Sequence, residues 1–258
     1  MMDLGLKNKV VVITGGTAGI GEACALAFSR EGAHVAVCGR TQKRIDAFKE
    51  RCAKAGANVF VKQADAGQAE ELQAFADAVV SRFGTIDVWI NNAGINVGKR
   101  LMEITPEDWQ QTVAVNLSGV LFGTQIAARA MGEKGGVILN ASSFASLIPS
   151  VGGTMYGATK AAVSNMTKTM AAELAPQHIR VNAYIPGIID TPMNAERIAD
   201  DANHALINAI ALHRVGTADE MAQALVFLAS DQASYITGTA IEVSGGKYAV
   251  QNAEILWG

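Results

Sequence analysis

From one end of the chain to the other, short runs of β-branched residues alternate with longer helical stretches, and no other feature limits the possible fold so strongly. Parallel strands need long crossover connections, usually helices, so this alternation specifies a parallel sheet covered by helices. Seven strands are expected, at residues 9–14, 34–38, 58–63, 86–91, 136–141, 180–183 and 240–243. The fold class is α/β, a doubly wound parallel sheet with helices on both faces.

Helix ends are legible in the same pattern. In Thr105-Pro106-Glu107-Asp108 a capping hydroxyl precedes Pro at the first helical position and acids in the positive first turn. Thr217-Ala-Asp-Glu220 is a capping box, and Gly32 and Gly56 fit the position just past a helix end. No Pro/Ser/Gly-rich linker and no internal repeat divides the 258 residues, and 50% of them are apolar, so 1–258 is expected to be one domain around a sizeable core. The least regular stretch, 187–216, carries Met193, Ile198, Leu206, Ile207 and Ile210. Excursions of such length in compact domains are usually lids or binding loops, and a substrate lid is expected here.

Net charge is −3 with no run of Lys or Arg long enough to form a phosphate-tracking stripe, which argues against a nucleic-acid partner. No apolar run approaches the roughly 18 residues of a membrane span. The opening Met-Met-Asp-Leu-Gly-Leu-Lys lacks the order of a secretion signal, so a cytoplasmic location away from membranes is expected. Cys24, Cys38 and Cys52 are odd in number without CxxC spacing, and His34, His178, His204 and His213 are scattered. The cysteines read as buried or half-buried thiols, and no metal is expected.

Lys9-Val-Val-Val-Ile-Thr-Gly15-Gly-Thr-Ala-Gly19-Ile-Gly21 runs the first strand into a tight glycine turn and then a helix over 20–31. A helix N-terminus offers unpaired N–H donors and partial positive charge, and glycines let a pyrophosphate approach the backbone. A dinucleotide is the expected ligand. The spacing is G-x-x-x-G-x-G, a variant of the commoner G-x-G-x-x-G fingerprint.

A second constellation is Ser143-Phe-Ala-Ser-Leu-Ile-Pro-Ser-Val-Gly-Gly-Thr-Met-Tyr156-Gly-Ala-Thr-Lys160. Tyr and Lys four residues apart share a helix face, so an ammonium can sit beneath a phenol. A phenol with a reference pKa of about 10 is a poor acid or base at neutral pH, and a nearby cation moves it toward the working range. Spacing alone would equally suit a partly buried Tyr beside a snorkelling Lys. The surrounding motifs favour the proton-transfer device.

Together the glycine turn and the Ser143/Tyr156/Lys160 set resemble the short-chain dehydrogenase/reductase family over about residues 7–246. Further matching pieces are Asp65, Asn91-Asn92-Ala93-Gly94, Asn116, Pro186-Gly187 with Thr191, and Ser230-Asp231 with Tyr235-Ile-Thr-Gly238. The resemblance implies a Rossmann-type fold and an oxidoreductase that transfers hydride between a nicotinamide cofactor and a carbonyl/alcohol substrate. It implies the catalytic set Asn116, Ser143, Tyr156 and Lys160. Tyr156 would exchange the proton, Ser143 would hold the substrate oxygen, and Lys160 would lower the tyrosine's pKa and bind the nicotinamide ribose. Asn116 would hold a water joining Lys160 to solvent. Ser142 competes with Ser143, but the family's serine lies about 13 residues before its tyrosine, as Ser143 does.

The same resemblance assigns cofactor contacts to Gly15, Thr17, Gly19, Ile20 and Gly21 in the turn, to Arg40, Asp65 and Ala66 near the adenosine, and to Asn92, Ala93 and Gly94. Tyr156, Lys160, Pro186, Gly187, Ile189 and Thr191 would complete the set. Substrate contacts fall on Ser143, Asn96, Leu147, Met155, Ile188 and Met193, with Ile95, Ser150 and Val151 nearby. Such a lining is mainly apolar and suits ketosteroids, cyclic or aryl ketones and acyl-thioester ketones.

After the second strand, Val37-Cys38-Gly39-Arg40-Thr41 lacks the acid that NAD-preferring members carry at the position of Gly39. Arg40 offers a donor fork for a 2′-phosphate, so NADP(H) is favoured, with NAD(H) the alternative. Ala18 stands where many NADP-preferring members have a second basic residue. Competing activities are an NAD(H)-dependent alcohol or sugar dehydrogenase, an enoyl reductase, whose Tyr and Lys lie farther apart, and a non-catalytic dinucleotide-sensing regulator. The family also implies a homotetramer built on helices over 105–131 and 153–176. The tail 247–258 ends in Ile255-Leu-Trp257 and is expected to pack on a neighbouring subunit.

Overall fold

Along Val10–Thr14 (β1), Val10 and Val12 point to one face of a sheet and Val11 and Ile13 to the other, and both sets are buried. Burial on both faces marks a central parallel strand. Six strands follow: His34–Gly39 (β2), Val59–Gln63 (β3), Val88–Asn91 (β4), Gly136–Ala141 (β5), Ile179–Pro186 (β6) and Ala240–Val243 (β7). They form one sheet in the order β3-β2-β1-β4-β5-β6-β7, parallel throughout. This is the Rossmann-type order, and its winding reverses between β1 and β4, where a crevice opens at the carboxyl ends of the strands. In this computed structural model, residues 3–201, 204–247, 249 and 252–257 are described, so parts of the chain's start, the expected lid and the tail lie outside the description.

The helices are Gly19–Arg30 (α1), Gln42–Lys54 (α2), Ala69–Phe83 (α3), Pro106–Val113 (α4), Gly119–Met131 (α5), Thr154–Leu174 (α6), Ala195–Ala199 (α7), Ala205–Asn208 (α8) and Ala218–Ala229 (α9). Cys24 and Phe28 of α1 and Leu225 of α9 pack with Val11 and Ile13 on one face. Leu72 and Phe75 of α3, Ile126 of α5 and Met170 of α6 pack with Val10 and Val12 on the other. Thr105 and Thr217 cap as expected, accepting from Asp108 and Glu220 N–H at 3.2 Å each. All three cysteines are buried, and burial pushes the Cys38 thiol up to about 12.

Two elements differ from the sequence-based expectation. β6 runs on to Pro186, three residues farther, which carries its end into the crevice. The helix expected unbroken over 105–131 is interrupted by a π-helical turn at Ala114–Ser118, centred on Asn116. Such single-turn π segments concentrate at functional positions.

The excursion 187–216 returns to the sheet through a parallel bridge between Ile189 and Gly216, with Gly216 N–H donating to Ile188 O at 2.9 Å and Asp190 N–H to Gly216 O at 2.8 Å. Between these ends lie α7 and α8. Ile188, Leu206 and Ile210 form a small core of their own, with Ile198, Ile207, Val215 and Phe144 against it. Met193 stays 52% exposed.

Candidate active site

The glycine turn is shaped by close approach to its own protein. A Cβ at Gly15 (φ +63°) would lie 2.8 Å from Ala93 Cα, one at Gly21 2.5 Å from Asn92 Nδ2, and one at Gly19 (φ +55°) 3.2 Å from Thr191 Cγ2. Glycine therefore lets the ends of β1, β4 and β6 close together, which gathers Gly15, Gly19, Gly21, Asn92, Ala93 and Thr191 around one crevice. No side chain caps the start of α1, so its first amides and Ile20 face that crevice with the helix dipole behind them. A glycine-lined, uncapped helix start fits a dinucleotide pyrophosphate.

Asn92 holds the turn from inside. Its Nδ2 donates to the carbonyls of Thr14 and Gly15, both at 3.1 Å, and its Oδ1 accepts from the Tyr184 hydroxyl at 3.1 Å. The side chain is engaged within the protein, which leaves the main chain for contact with a ribose. Thr14 Oγ1 accepts from the N–H of Asn92 and of Ala93, each at 3.1 Å. Neither Thr14 nor Tyr184 is among the residues that the sequence motifs single out, although a threonine just before the glycine turn is a sign of the first.

At the other end of the crevice, Thr17 is buried against Gly39, where a Cβ would lie 2.7 Å from its hydroxyl. Arg40 faces Asp65 at 3.8 Å, while Asp65 Oδ1 accepts from Gly67 N–H at 2.9 Å. Ala66 is buried, and the missing Cβ of Gly119 lets α5 sit on its carbonyl.

The four residues of the expected catalytic set come together at the mouth of β5. Ser143 Oγ accepts from Ala145 N–H at 3.2 Å and shares a hydrogen bond with the Tyr156 hydroxyl. Ser142 instead donates to Lys160 O at 3.0 Å and meets Ser164 Oγ at 2.6 Å, pinning α6 to the sheet. Lys160 is buried, its Nζ donating to Ala141 O at 2.8 Å and lying 5.7 Å from the Tyr156 ring centroid. A Cβ at Gly94 would lie 3.4 Å from that Nζ and 3.5 Å from Asn116 Oδ1.

Electrostatically, burial pushes the Tyr156 phenol above its ordinary range, with the Ser143 bond pulling the other way. Burial lowers Lys160 to about 8. Desolvation dominates at the phenol, while the Lys160 ammonium is hydrogen-bonded to the Ala141 carbonyl. Asn116, wholly buried, accepts from Ile95 N–H at 2.8 Å and donates to Ile95 O at 2.9 Å. Its amide clamps the strand-end loop, so the main chain of the π turn is what it can offer to a water.

The expected substrate contacts divide. Met155 turns away from the crevice and is buried against α4, where Thr112 Oγ1 donates to its sulfur at 4.0 Å. Ile188 is buried as the floor of the excursion's core. Asn96, Leu147, Ser150, Val151 and Met193 lie exposed, and Ile95 is half-buried. Ile189 and Gly187 are buried and Pro186 half-buried, and Thr191 Oγ1 donates to Ile189 O at 3.4 Å. Trp257 of the tail stacks on His213 (centroids 4.9 Å apart, 9° between planes) and donates to Ala211 O at 3.2 Å. Through Trp257 the tail touches the excursion of its own chain.

Comparison with known proteins finds relatives over nearly the whole chain. The family model described as enoyl-(acyl carrier protein) reductase matches residues 15–247. A 3-oxoacyl-(acyl-carrier-protein) reductase of Thermotoga maritima is 38% identical over 242 residues, covering 93% of this chain and 98% of its own. A 3β-hydroxysteroid dehydrogenase of Eggerthella lenta is 41% identical over 249 residues, covering 93% and 94%. A solved short-chain glucose/ribitol dehydrogenase from Brucella melitensis matches with a TM-score of 0.89 at 34% identity, covering 96% of this chain and 99% of that one. With the sheet order, the glycine turn and the Ser143/Tyr156/Lys160 cluster, these matches establish that the chain belongs to the short-chain dehydrogenase/reductase family of oxidoreductases.

Proposed function

We propose that the protein interconverts a ketone and a secondary alcohol with NADP(H), using Tyr156 as the proton donor and acceptor. The observation that carries this reading is the Tyr156 hydroxyl bonded to Ser143, with Lys160 Nζ 5.7 Å from its ring, beside the glycine turn. When bound, a nicotinamide dinucleotide supplies or takes up the hydride at the carbonyl carbon. Ser143, already accepting from Ala145 N–H, donates to the substrate oxygen and stabilises charge developing there. The raised pKa of Tyr156 keeps its proton available at neutral pH, which suits reduction. Oxidation needs the phenolate, and Lys160 favours it by turning its ammonium from the Ala141 carbonyl toward Tyr156. The main chain of the π turn at Asn116 holds the water that returns protons to Lys160.

The preference for NADP(H) over NAD(H) rests on Gly39 and Arg40. A side chain at 39 would press on Thr17, so the acid that reads an unphosphorylated ribose has no room. Arg40 is half-exposed and its 3.8 Å pair with Asp65 is weak, so the guanidinium can turn to a 2′-phosphate at a cost of about 0–1 kcal/mol. The substrate is an apolar ketone of the kinds named by the two relatives, a 3-oxoacyl thioester or a 3-oxosteroid. Residues 187–216 act as the substrate lid of a single catalytic domain, and the enzyme works as a cytoplasmic homotetramer, which light scattering of the purified protein reads. The deciding experiment is Tyr156→Phe, assayed by oxidation of NADPH and NADH with a ketone panel. Turnover should fall by roughly 10²–10⁴-fold with cofactor binding unchanged; near-normal turnover ends the assignment.

A further inference from the structure

Phe144 follows Ser143 directly and packs on the core of the excursion formed by Ile188, Leu206 and Ile210, so one ring joins the candidate catalytic serine to the lid. Two cations reach that ring. Arg197 of α7 holds its guanidinium carbon 5.7 Å from the centroid, and Lys247, beyond β7, holds its Nζ 5.9 Å from it. An aromatic face attracts each cation, but two cations on one ring repel each other.

Among the described residues neither Arg197 nor Lys247 is in an ion pair. Lys247 is half-buried, and burial together with Arg197 holds its ammonium below the ordinary lysine range. Two uncompensated charges, one partly withdrawn from water, are an arrangement that an anion beside them relieves. The flanking turn is apolar: Leu147 and Ile148 donate their N–H groups to Phe144 O at 3.0 and 3.1 Å and leave their side chains 55% and 49% exposed. No hydrogen bond or ion pair among the described residues joins either cation to the glycine turn or to Arg40, where the dinucleotide phosphates are expected.

We infer that Arg197 and Lys247 bind the anionic terminus of the substrate, so the ketone or alcohol handled at Ser143 and Tyr156 is carried on an apolar body ending in a carboxylate or a phosphate. This rests on the ketone/alcohol reading above and narrows it to anionic members of that class.

Two matched pairs of probes distinguish the sources of the anion: a 3-oxosteroid with a side-chain carboxylate against its methyl ester, and acetoacetyl-pantetheine 4′-phosphate against acetoacetyl-pantetheine. Calorimetric dissociation constants and kcat/KM are measured for the wild type, for Arg197→Gln/Lys247→Gln, and for the charge-keeping Arg197→Lys/Lys247→Arg. The wild type should favour the anionic member of one pair by about tenfold or more, shrinking as salt rises. The Gln double variant should lose that preference, with the neutral member and NADPH changing less than about twofold, and the charge-keeping variant should retain it. The pair that responds names the anion. Equal binding of both members in both pairs, a preference insensitive to salt, or an equal loss for the neutral member overturns the inference. If the Gln variant fails to fold, the salt dependence of the wild type and the charge-keeping variant decide. Anion-selective binding without turnover leaves this clamp standing and overturns the hydride-transfer reading; turnover without anion selectivity does the reverse.

Discussion

Lys160→Met should make the folded protein more stable at neutral pH while removing its activity. The ammonium is fully buried, donating to the Ala141 carbonyl at 2.8 Å, and burial lowers its pKa from 10.5 to about 8. Because the folded value lies below the unfolded one, the unfolded chain binds more protons between the two. The cost of holding the charge is present in full below about pH 8 and disappears as pH rises through about 10.5. That shift corresponds to about 3 kcal/mol. Met has nearly the same volume and removes the charge, but the Ala141 carbonyl loses its donor, which costs about 1 kcal/mol. The variant should therefore be more stable than wild type by about 2 kcal/mol near pH 7, and that advantage should be lost by about pH 10. Urea titrations of both proteins at several pH values measure the difference, with other groups cancelling. A difference independent of pH, or a variant less stable at neutral pH, refutes the placement of a charged Lys160 in a low-dielectric site.

The other expectations concern the remaining parts of the crevice. Arg40→Ala should raise the KM for NADPH about tenfold or more while leaving that for NADH within about twofold; equal changes would sink the 2′-phosphate assignment. Asn116→Ala removes both hydrogen bonds to the Ile95 main chain and should cost about 2–3 kcal/mol, seen as a lower urea midpoint at unchanged slope; a loss under about 0.5 kcal/mol would mean that the clamp contributes little. Trp257→Ala should speed hydrogen exchange over 205–216 and cost about 0.5–1.5 kcal/mol locally. Unchanged exchange there would show that the tail does not hold the excursion.

Much of the fold was legible because its determinants act between near neighbours. β-Branched runs, the Thr105 and Thr217 caps and the left-handed glycines at 32 and 56 (φ +78° and +66°) each specify local backbone whatever the rest of the chain does. The Tyr156/Lys160 spacing likewise needs only a helix to put both on one face, and α6 supplies it. Less legible was which neighbour does what. Ser142 and Ser143 are adjacent, and only the arrival of α6 separates a serine that pins the helix from one that meets Tyr156. Met155 sits one residue before Tyr156, and helix rotation sends it to Thr112 instead of the crevice.

By itself, then, the sequence determined the alternation of strands and helices, the glycine turn and the residues from which a proton-transfer site could be assembled, because these rest on backbone preference and short spacing. Tertiary structure decided everything that depends on where the chain returns. The hydroxyl that orients Asn92 comes from Tyr184, 92 residues away, and Asn116 breaks its helix into a π turn while clamping Ile95, 21 residues earlier. The direction of the Tyr156 and Lys160 shifts follows from burial, which no spacing encodes. Arg197 and Lys247, 50 positions apart, meet over Phe144 only once the excursion and the end of β7 have closed on the same ring.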